Sequence, residues 1–205
     1  MKNNFFEFFI EDYCADISDD LSFLPPLTTR RLSKLDKIAF STLYKCFKKG
    51  TNPNLVFASR YGQFDRLSKL TKQFLADNEV SPMAFSGSVH NNTIGLFSIL
   101  NGITASYNSV SACENTVSSG LLEAVLQLKI SDEVLFCYAD YFNNNSKSVS
   151  LLLRKKSDNG VKIKCIFDKN NSVEKDEYES LCAFLDGRNE CFKPKLFSFE
   201  RVIND

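Results

Sequence analysis

Short apolar runs of strand type alternate along this chain with segments in which apolar residues recur at helical spacing. Leu55–Ala58 and Val134–Tyr138 are continuous apolar runs of the kind found in buried strands. Residues 64–74 and 117–128 place apolar side chains three or four positions apart, which predicts helices. Strands and helices that alternate through short connections form layered sheets. The sequence therefore predicts an α/β layered sheet in a single domain of residues 1–205.

Composition limits the classes of function. The chain has 25 Lys and Arg residues against 25 Asp and Glu residues, so its formal net charge is zero. This balance lacks the basic excess of a nucleic-acid-binding protein, and it leaves little like-charge repulsion between molecules, which favours a chain that works in a complex. Apolar runs such as Leu151–Leu153 are far shorter than the ~18 residues that cross a bilayer, so we expect no membrane span.

The cysteines and the histidine argue against a metal site. Seven scattered cysteines include no close CxxC pair, and the chain has one histidine, His90. An odd, scattered set of this kind is poorly suited to a disulfide framework or a zinc site. We expect reduced thiols in a cytoplasmic protein, with no metal and no cofactor.

One segment has an order of elements that suits reactive chemistry. Residues 86–124 are predicted to form a helix, a short polar strand, a turn of small residues and a second helix. The unpaired N–H groups at a helix N-terminus favour an anion and can activate a cysteine placed there. Cys113 and Glu114 lie in this strand-to-helix turn, which we call the elbow (residues 111–115).

Several motifs in order resemble a known family. They are Leu24–Leu27 with Arg30–Ser33, Ala58–Gly62, Phe85–Asn91 and Gly120–Ala124. Together they are similar to the ketosynthase-like chain length factor subunits found beside aryl polyene ketosynthases, and the similarity runs from about Leu24 to Tyr138. The wider family is the thiolase-like condensing enzymes, the β-ketoacyl synthases, whose helix before the nucleophile strand is matched by Ser88, Asn91, Gly95 and Gly102.

The resemblance implies a thiolase-like fold, a layered α/β/α arrangement with a mixed sheet, present here as a single N-terminal half. A complete ketosynthase has a second, similar half that supplies its catalytic histidines. His90 lies before the elbow, in a motif that the non-catalytic family shares, and cannot replace them. The absence of the second half is expected to leave one face of the sheet less covered.

The nucleophile position is also altered. An alignment without gaps from Gly102 places Glu114 where a ketosynthase has its cysteine, and the short family carries an acidic residue there. Cys113 takes that place only if one residue is deleted from the strand. We prefer the ungapped alignment, because the residues of the following helix then stay in phase up to Ala124.

Each residue at this segment has a structural alternative to a functional role. Cys113 is either an acyl-accepting nucleophile or a small, buried core residue. Glu114 either caps its own helix, which we favour, or lines an acyl tunnel shared with a partner. His90 is either a base or ligand, or a hydrogen-bonded structural residue at the elbow or a subunit contact, which we favour. Asn91 is expected to bond the local backbone.

The polar strand before the elbow is the expected interface. In the fold that this chain resembles, that strand is a sheet edge and pairs antiparallel with the same strand of the partner. Here the edge is Thr104–Val110, and the interface residues are expected to be Thr104, Ser106, Asn108 and Val110. An unpaired edge is a liability that proteins usually cover.

The resemblance implies a non-catalytic partner of a full-length β-ketoacyl-ACP synthase in aryl polyene or related type II fatty-acid and polyketide-like assembly. Acyl carrier protein would be an indirect partner, and Arg30 and Arg31 are either a site for it or solvated surface. A second hypothesis is a minimal acyl-thioester transferase or decarboxylase that uses Cys113 or Glu114. A third is a homodimeric binding domain unrelated to acyl chemistry.

Overall fold

The computed structural model describes residues 5–18, 20–168 and 176–202. Its strands are β1 (Phe5–Cys14), β2 (Asn54–Ala58), β3 (Tyr107–Val110), β4 (Glu133–Phe142), β5 (Asn145–Arg154), β6 (Val161–Phe167), β7 (Cys191–Phe192) and β8 (Phe197–Arg201). Its helices are α1 (Pro26–Arg31), α2 (Lys34–Cys46), α3 (Phe64–Asp77), α4 (Pro82–Ser86), α5 (Asn92–Asn101), α6 (Thr116–Gln127) and α7 (Glu177–Leu185). The buried strands and amphipathic helices of the sequence analysis are confirmed.

The strands form one mixed sheet in the order β3-β2-β4-β5-β1-β6-β8-β7. β2 lies between β3 and β4 and is parallel to both. The remaining neighbours pair antiparallel. The carboxyl ends of β2, β3 and β4 therefore meet at one end of the sheet, which is where ligands usually bind in such sheets.

Helices cover both faces of this sheet. α2 and α5 pack on one face through a cluster that includes Ile38, Leu43 and Phe97. α6 and α7 pack on the other face, where Leu121 and Phe184 belong to a single cluster with the sheet. The expectation of a poorly covered face is wrong, because α7 and the C-terminal strands supply apolar side chains to that face.

α6 lies unusually close to the sheet. A Cβ atom added at Gly120 would lie 2.5 Å from the Ala58 side chain of β2 and 2.9 Å from the Phe136 ring of β4. Only a glycine permits this approach of helix to sheet. The close contact holds the N-terminus of α6 over the carboxyl ends of β2 and β4.

A buried carboxylate fixes the connection that follows β2. Asp36, at the start of α2, accepts a hydrogen bond from the Ser33 backbone N–H over 2.8 Å and completes a capping box there. Its other oxygen accepts from Gln63 over 2.7 Å and from Thr93 of α5 over 2.8 Å. The loop after β2 is therefore tied to helices on the α2 face.

The edge strand β3 is shorter than the sequence indicated. Regular pairing with β2 covers Tyr107–Val110, whereas the backbone N–H of Thr104 donates to the Asn52 side chain over 2.8 Å. This hydrogen bond diverts the chain before β3, so Thr104 lies in a connection rather than in the strand. The position of β3 at the edge of the sheet is as predicted.

Candidate functional site at the strand-to-helix elbow

The elbow places Cys113 at the surface. Its backbone has a φ of +51°, a left-handed conformation that is uncommon for a residue other than glycine. The Thr116 hydroxyl holds this turn, because it accepts from the Ala112 N–H over 2.9 Å and donates to the Cys113 carbonyl over 2.7 Å. The Cys113 thiol is exposed, so the alternative of a buried core residue is wrong.

Glu114 does not cap its helix. Its carboxylate accepts a hydrogen bond from the Arg60 guanidinium over 2.6 Å, and its side chain is 71% exposed. Arg60 comes from the loop after β2 and also lies over the Tyr61 ring, 5.3 Å from its centre. The expectation that Glu114 caps its helix is therefore wrong, and Glu114 instead forms an exposed ion pair with Arg60 at the opening of the elbow cavity.

Glu177 of α7 caps α6 instead. One oxygen of its carboxylate accepts from the Ser118 backbone N–H over 3.0 Å, and the other accepts from the Ser118 hydroxyl over 2.6 Å. Glu177 is buried and is itself the first residue of α7. Sequence reasoning missed this residue, because Glu177 is 59 positions from Ser118 and no local pattern links them.

A second buried carboxylate, Asp140, lies where β4 ends beside β2. It accepts from the Ser59 hydroxyl over 2.6 Å, the Tyr61 backbone N–H over 3.1 Å and the Tyr138 hydroxyl over 2.8 Å. Burial, together with the neighbouring Asp140 charge, raises the pKa of Tyr138, which therefore stays a hydrogen-bond donor. The sequence carried a signal here, since Asp140 comes two residues after the continuous apolar run Val134–Tyr138.

These side chains enclose a cavity of about 240 Å³ at the elbow. It is lined by Cys113, by the carboxylates of Glu114, Asp140, Asp176 and Glu177, by Arg60 and Lys147, and by Tyr61, Tyr138 and Tyr178. Lys147 is bonded to Asp176 over 2.6 Å, as Arg60 is to Glu114, so both cations are engaged. Although partial burial opposes it, the Lys147 ammonium holds the pKa of Asp176 below its usual value.

His90 forms a backbone hydrogen bond of the kind that the favoured structural alternative expects. Its Nε2 lies 2.8 Å from the Ser59 carbonyl oxygen, and since a carbonyl only accepts, Nε2 must donate. The ring packs so closely beneath Gly62 that an added Cβ there would lie 2.7 Å from it. His90 lines a shallow depression with Asn91, Tyr107, Asn108, Ser109 and Ser111, not the cavity that Cys113 lines.

The other predicted residues lie along the edge rather than in the cavity. α5 begins without a side-chain cap from Asn91, so the bond expected of that side chain is not formed there. Ser106 and Asn108 are exposed, Val110 is half-buried, and the Asn108 amide donates to Glu123 of α6 over 2.7 Å. The structure therefore brings Cys113 and Glu114 together but separates them from His90.

Two properties of the described ranges bear on the kind of site. Within residues 5–18, 20–168 and 176–202, no three His, Cys, Asp or Glu side chains converge as metal ligands. Among the helices of this described part, none has the length and apolar character needed to cross a membrane.

Comparison with known families decides the relationship. The family model of the β-ketoacyl synthase N-terminal domain matches residues 11–146. The chain belongs to this family. The match covers β2, β3, the elbow, α6 and β4, whereas Lys147 of β5 and the residues at the start of α7, which also line the cavity, lie outside it. No curated protein matches the sequence.

Solved structures show the same fold for this β-ketoacyl synthase-like chain. A chain of the ketosynthase in complex with its chain length factor from Xenorhabdus doucetiae has a TM-score of 0.70 at 23% identity, over 87% of this chain and 82% of that chain. The ishigamide ketosynthase/chain length factor gives 0.59 at 11% identity, over 85% of this chain and 57% of that chain. A β-ketoacyl synthase from Burkholderia phymatum STM815 gives a TM-score of 0.57 at 10% identity, over 85% of this chain and 58% of that chain.

The fraction of each solved chain that is matched shows how much of the length of those proteins this chain spans. The chain spans little more than half of the ishigamide and Burkholderia chains, but most of the matched Xenorhabdus chain. Its mixed sheet between helical layers is the thiolase-like ketosynthase architecture in a single half, as the sequence predicted.

Proposed function

We propose that this chain is a non-catalytic, chain length factor-like subunit. It forms a heterodimer with a full-length β-ketoacyl-ACP synthase, stabilises that enzyme and completes the wall of its acyl cavity, in aryl polyene or related fatty-acid-like assembly. Acyl carrier protein is then an indirect partner. The observation that carries the proposal is the separation of the chain's single histidine, His90, from the cavity of Cys113.

Acid–base chemistry explains why that separation matters. A thiol near neutral pH needs a base or a cationic neighbour to become a good nucleophile. At this elbow Arg60 is bonded to Glu114 and the His90 Nε2 proton is committed to Ser59. Loss of general acid–base help typically costs a factor of ~10²–10⁴ in rate. The proposal therefore gives this chain a role through contact with a competent ketosynthase.

The edge strand supplies the contact surface. The Ser106 carbonyl accepts from the N–H of Leu55 in β2, and the Val110 carbonyl accepts from the N–H of Ser59, the residue directly after β2. Since alternate residues of a strand point their peptide groups to opposite sides, those of Tyr107 and Ser109 face away from β2. The proposed partner strand pairs antiparallel with this edge, so that the two sheets become continuous.

A proline substitution in the edge strand tests the proposal. Co-expression with a candidate full-length ketosynthase should yield a one-to-one complex in size-exclusion chromatography with light scattering. Ser109→Pro removes an outward N–H without touching the β2 pairing and should abolish the complex. Ser109→Ala, the matched control, keeps that N–H and should keep the complex.

The outcomes separate the candidate functions. Two proteins that purify apart, with the ketosynthase fully active alone, would overturn the proposal. A homodimer of this chain that ignores the ketosynthase would favour the binding-domain hypothesis. Complexes that survive Ser109→Pro unchanged would place the contact elsewhere and refute the edge-pairing geometry.

A further inference from the structure

The N-termini of two helices meet at one carboxylate. Glu177 is the first residue of α7 and bonds the third residue of α6, Ser118, through both of its oxygens. Unpaired N–H groups and the helix dipole favour an anion at each of these positions. The buried charge of Glu177 is thus stabilised by two helix ends at once, and the anion position of α6 is filled from within the chain.

The neighbours of Glu177 fasten the first turn of α7 over the cavity. Asp176 caps α7 by accepting from the backbone N–H groups of Tyr178 and Glu179, and it also bonds Lys147 of β5 over 2.6 Å. The Tyr178 hydroxyl donates to the Ser148 carbonyl of β5 over 3.2 Å. Three consecutive residues therefore bridge β5 and α6 across the cavity that Cys113 lines.

We infer that α7 is a built-in plug of the elbow, in which the Glu177 carboxylate occupies the anion position of α6 and keeps Cys113 slow to react. The chain's own C-terminal segment lines the elbow cavity through the first turn of α7, while the Cys113 thiol itself stays exposed. A carboxylate held there offsets the helix field that would otherwise assist an anion at the turn. The other charged groups that line the cavity are the Arg60–Glu114 and Lys147–Asp176 pairs and the buried Asp140 carboxylate. The inference does not depend on the proposed heterodimer, because every group belongs to this chain.

Alkylation by iodoacetamide measures the plug directly. The reagent is uncharged, so its approach is not steered by the carboxylates, and peptide mass spectrometry assigns the label in the full-length chain. Glu177→Gln should speed labelling of Cys113 about two- to fivefold, the factor that corresponds to a helix-terminus interaction of ordinary strength. Glu179→Gln removes the same charge from an exposed position of the same helix and should leave the rate unchanged.

Wholly buried Cys137 reports global unfolding within the same sample. If Glu177→Gln also exposes Cys137, the labelling rate of Cys137 is subtracted from that of Cys113, because it measures the contribution of unfolded molecules. A remaining rise at Cys113 supports the plug, and the absence of one overturns it. Equal Cys113 rates in Glu177→Gln and Glu179→Gln, with Cys137 protected, also overturn it.

Discussion

The Ser59 hydroxyl donates to the buried Asp140 carboxylate over 2.6 Å and so joins the carboxyl ends of β2 and β4. The same hydroxyl accepts from the Gly62 N–H over 2.8 Å, and Asp140 accepts from the Tyr61 N–H over 3.1 Å. One carboxylate therefore shapes the loop from which Arg60 reaches Glu114. The mouth of the elbow depends on a contact between residues 81 positions apart.

Asp140→Asn should destabilise the protein. An amide presents its N–H₂ group to donors, so at least one buried partner among Ser59, Tyr61 and Tyr138 loses its acceptor. A buried group left unsatisfied costs about 1–3 kcal/mol, which is the expected fall in unfolding free energy in urea titrations. The control is Asp132→Asn, whose side chain is 96% exposed, and it should change stability by under about 0.5 kcal/mol. Equal stability of the two variants would contradict the network.

Gly120→Ala should also destabilise, although alanine is the better helix former by about 1 kcal/mol. The new methyl group would clash with Ala58 and Phe136 and push α6 away from the sheet. Overpacking of this kind costs about 1–3 kcal/mol, measurable by urea unfolding. Ser119→Ala, at the neighbouring half-buried position, should stay within about 0.5 kcal/mol of the parent. A stabilised Gly120→Ala would show that α6 lies farther from the sheet.

The isolated chain should not form an acyl adduct. We expect intact-mass spectrometry after incubation with an acyl carrier thioester to show the unmodified mass, because Cys113 lacks a histidine in its cavity. Cys113→Ala is the matched control and should give the same result. An adduct on the parent chain that disappears in Cys113→Ala would instead support the acyltransferase hypothesis.

Acid should weaken the protein partly through Glu11. The ion pair and hydrogen bond from Lys48, opposed by burial and helped by Ser157 and Arg154, lower the pKa of Glu11 below its ordinary 4.5. A carboxyl whose pKa is lowered by folding contributes stability above its unfolded value and loses that contribution as pH falls through the folded value. The contribution of Glu11 should therefore begin to fall as the pH drops below about 4.5 and be lost as the pH passes the lower folded pKa.

Thermal unfolding between about pH 6 and pH 3 checks this sign. Glu11→Gln should lower Tm at the upper end and make the decline toward acid shallower. Glu79→Gln, at an exposed position, should keep the slope of the parent protein. Parallel curves for the parent and Glu11→Gln would show that Glu11 does not contribute.

The elements of the site were predictable because their signals are local. The apolar run of β2, the spacing of α6 and the small residues between β3 and α6 each lie within one segment, and they placed the elbow correctly at residues 111–115. The short turn before β5 has an equally local cause, because Asn143 and Asn144 both adopt a positive φ, of 49° and 60°, which asparagine tolerates better than most residues. The extent of β3 could not be predicted locally, because the side chain of Asn52, in a distant loop, bonds the Thr104 N–H and keeps Thr104 out of the strand.

The sequence by itself determined the order of strands and helices and indicated the family, because these follow from periodicity and from motifs read along the chain. Only the tertiary structure decided that Arg60 forms an ion pair with Glu114, that Glu177 caps α6 and that Cys113 is exposed. These outcomes depend on which strand ends become neighbours and where α7 packs. They are contacts between distant residues, fixed by the register of the sheet and the burial of its two faces, and no local pattern encodes them.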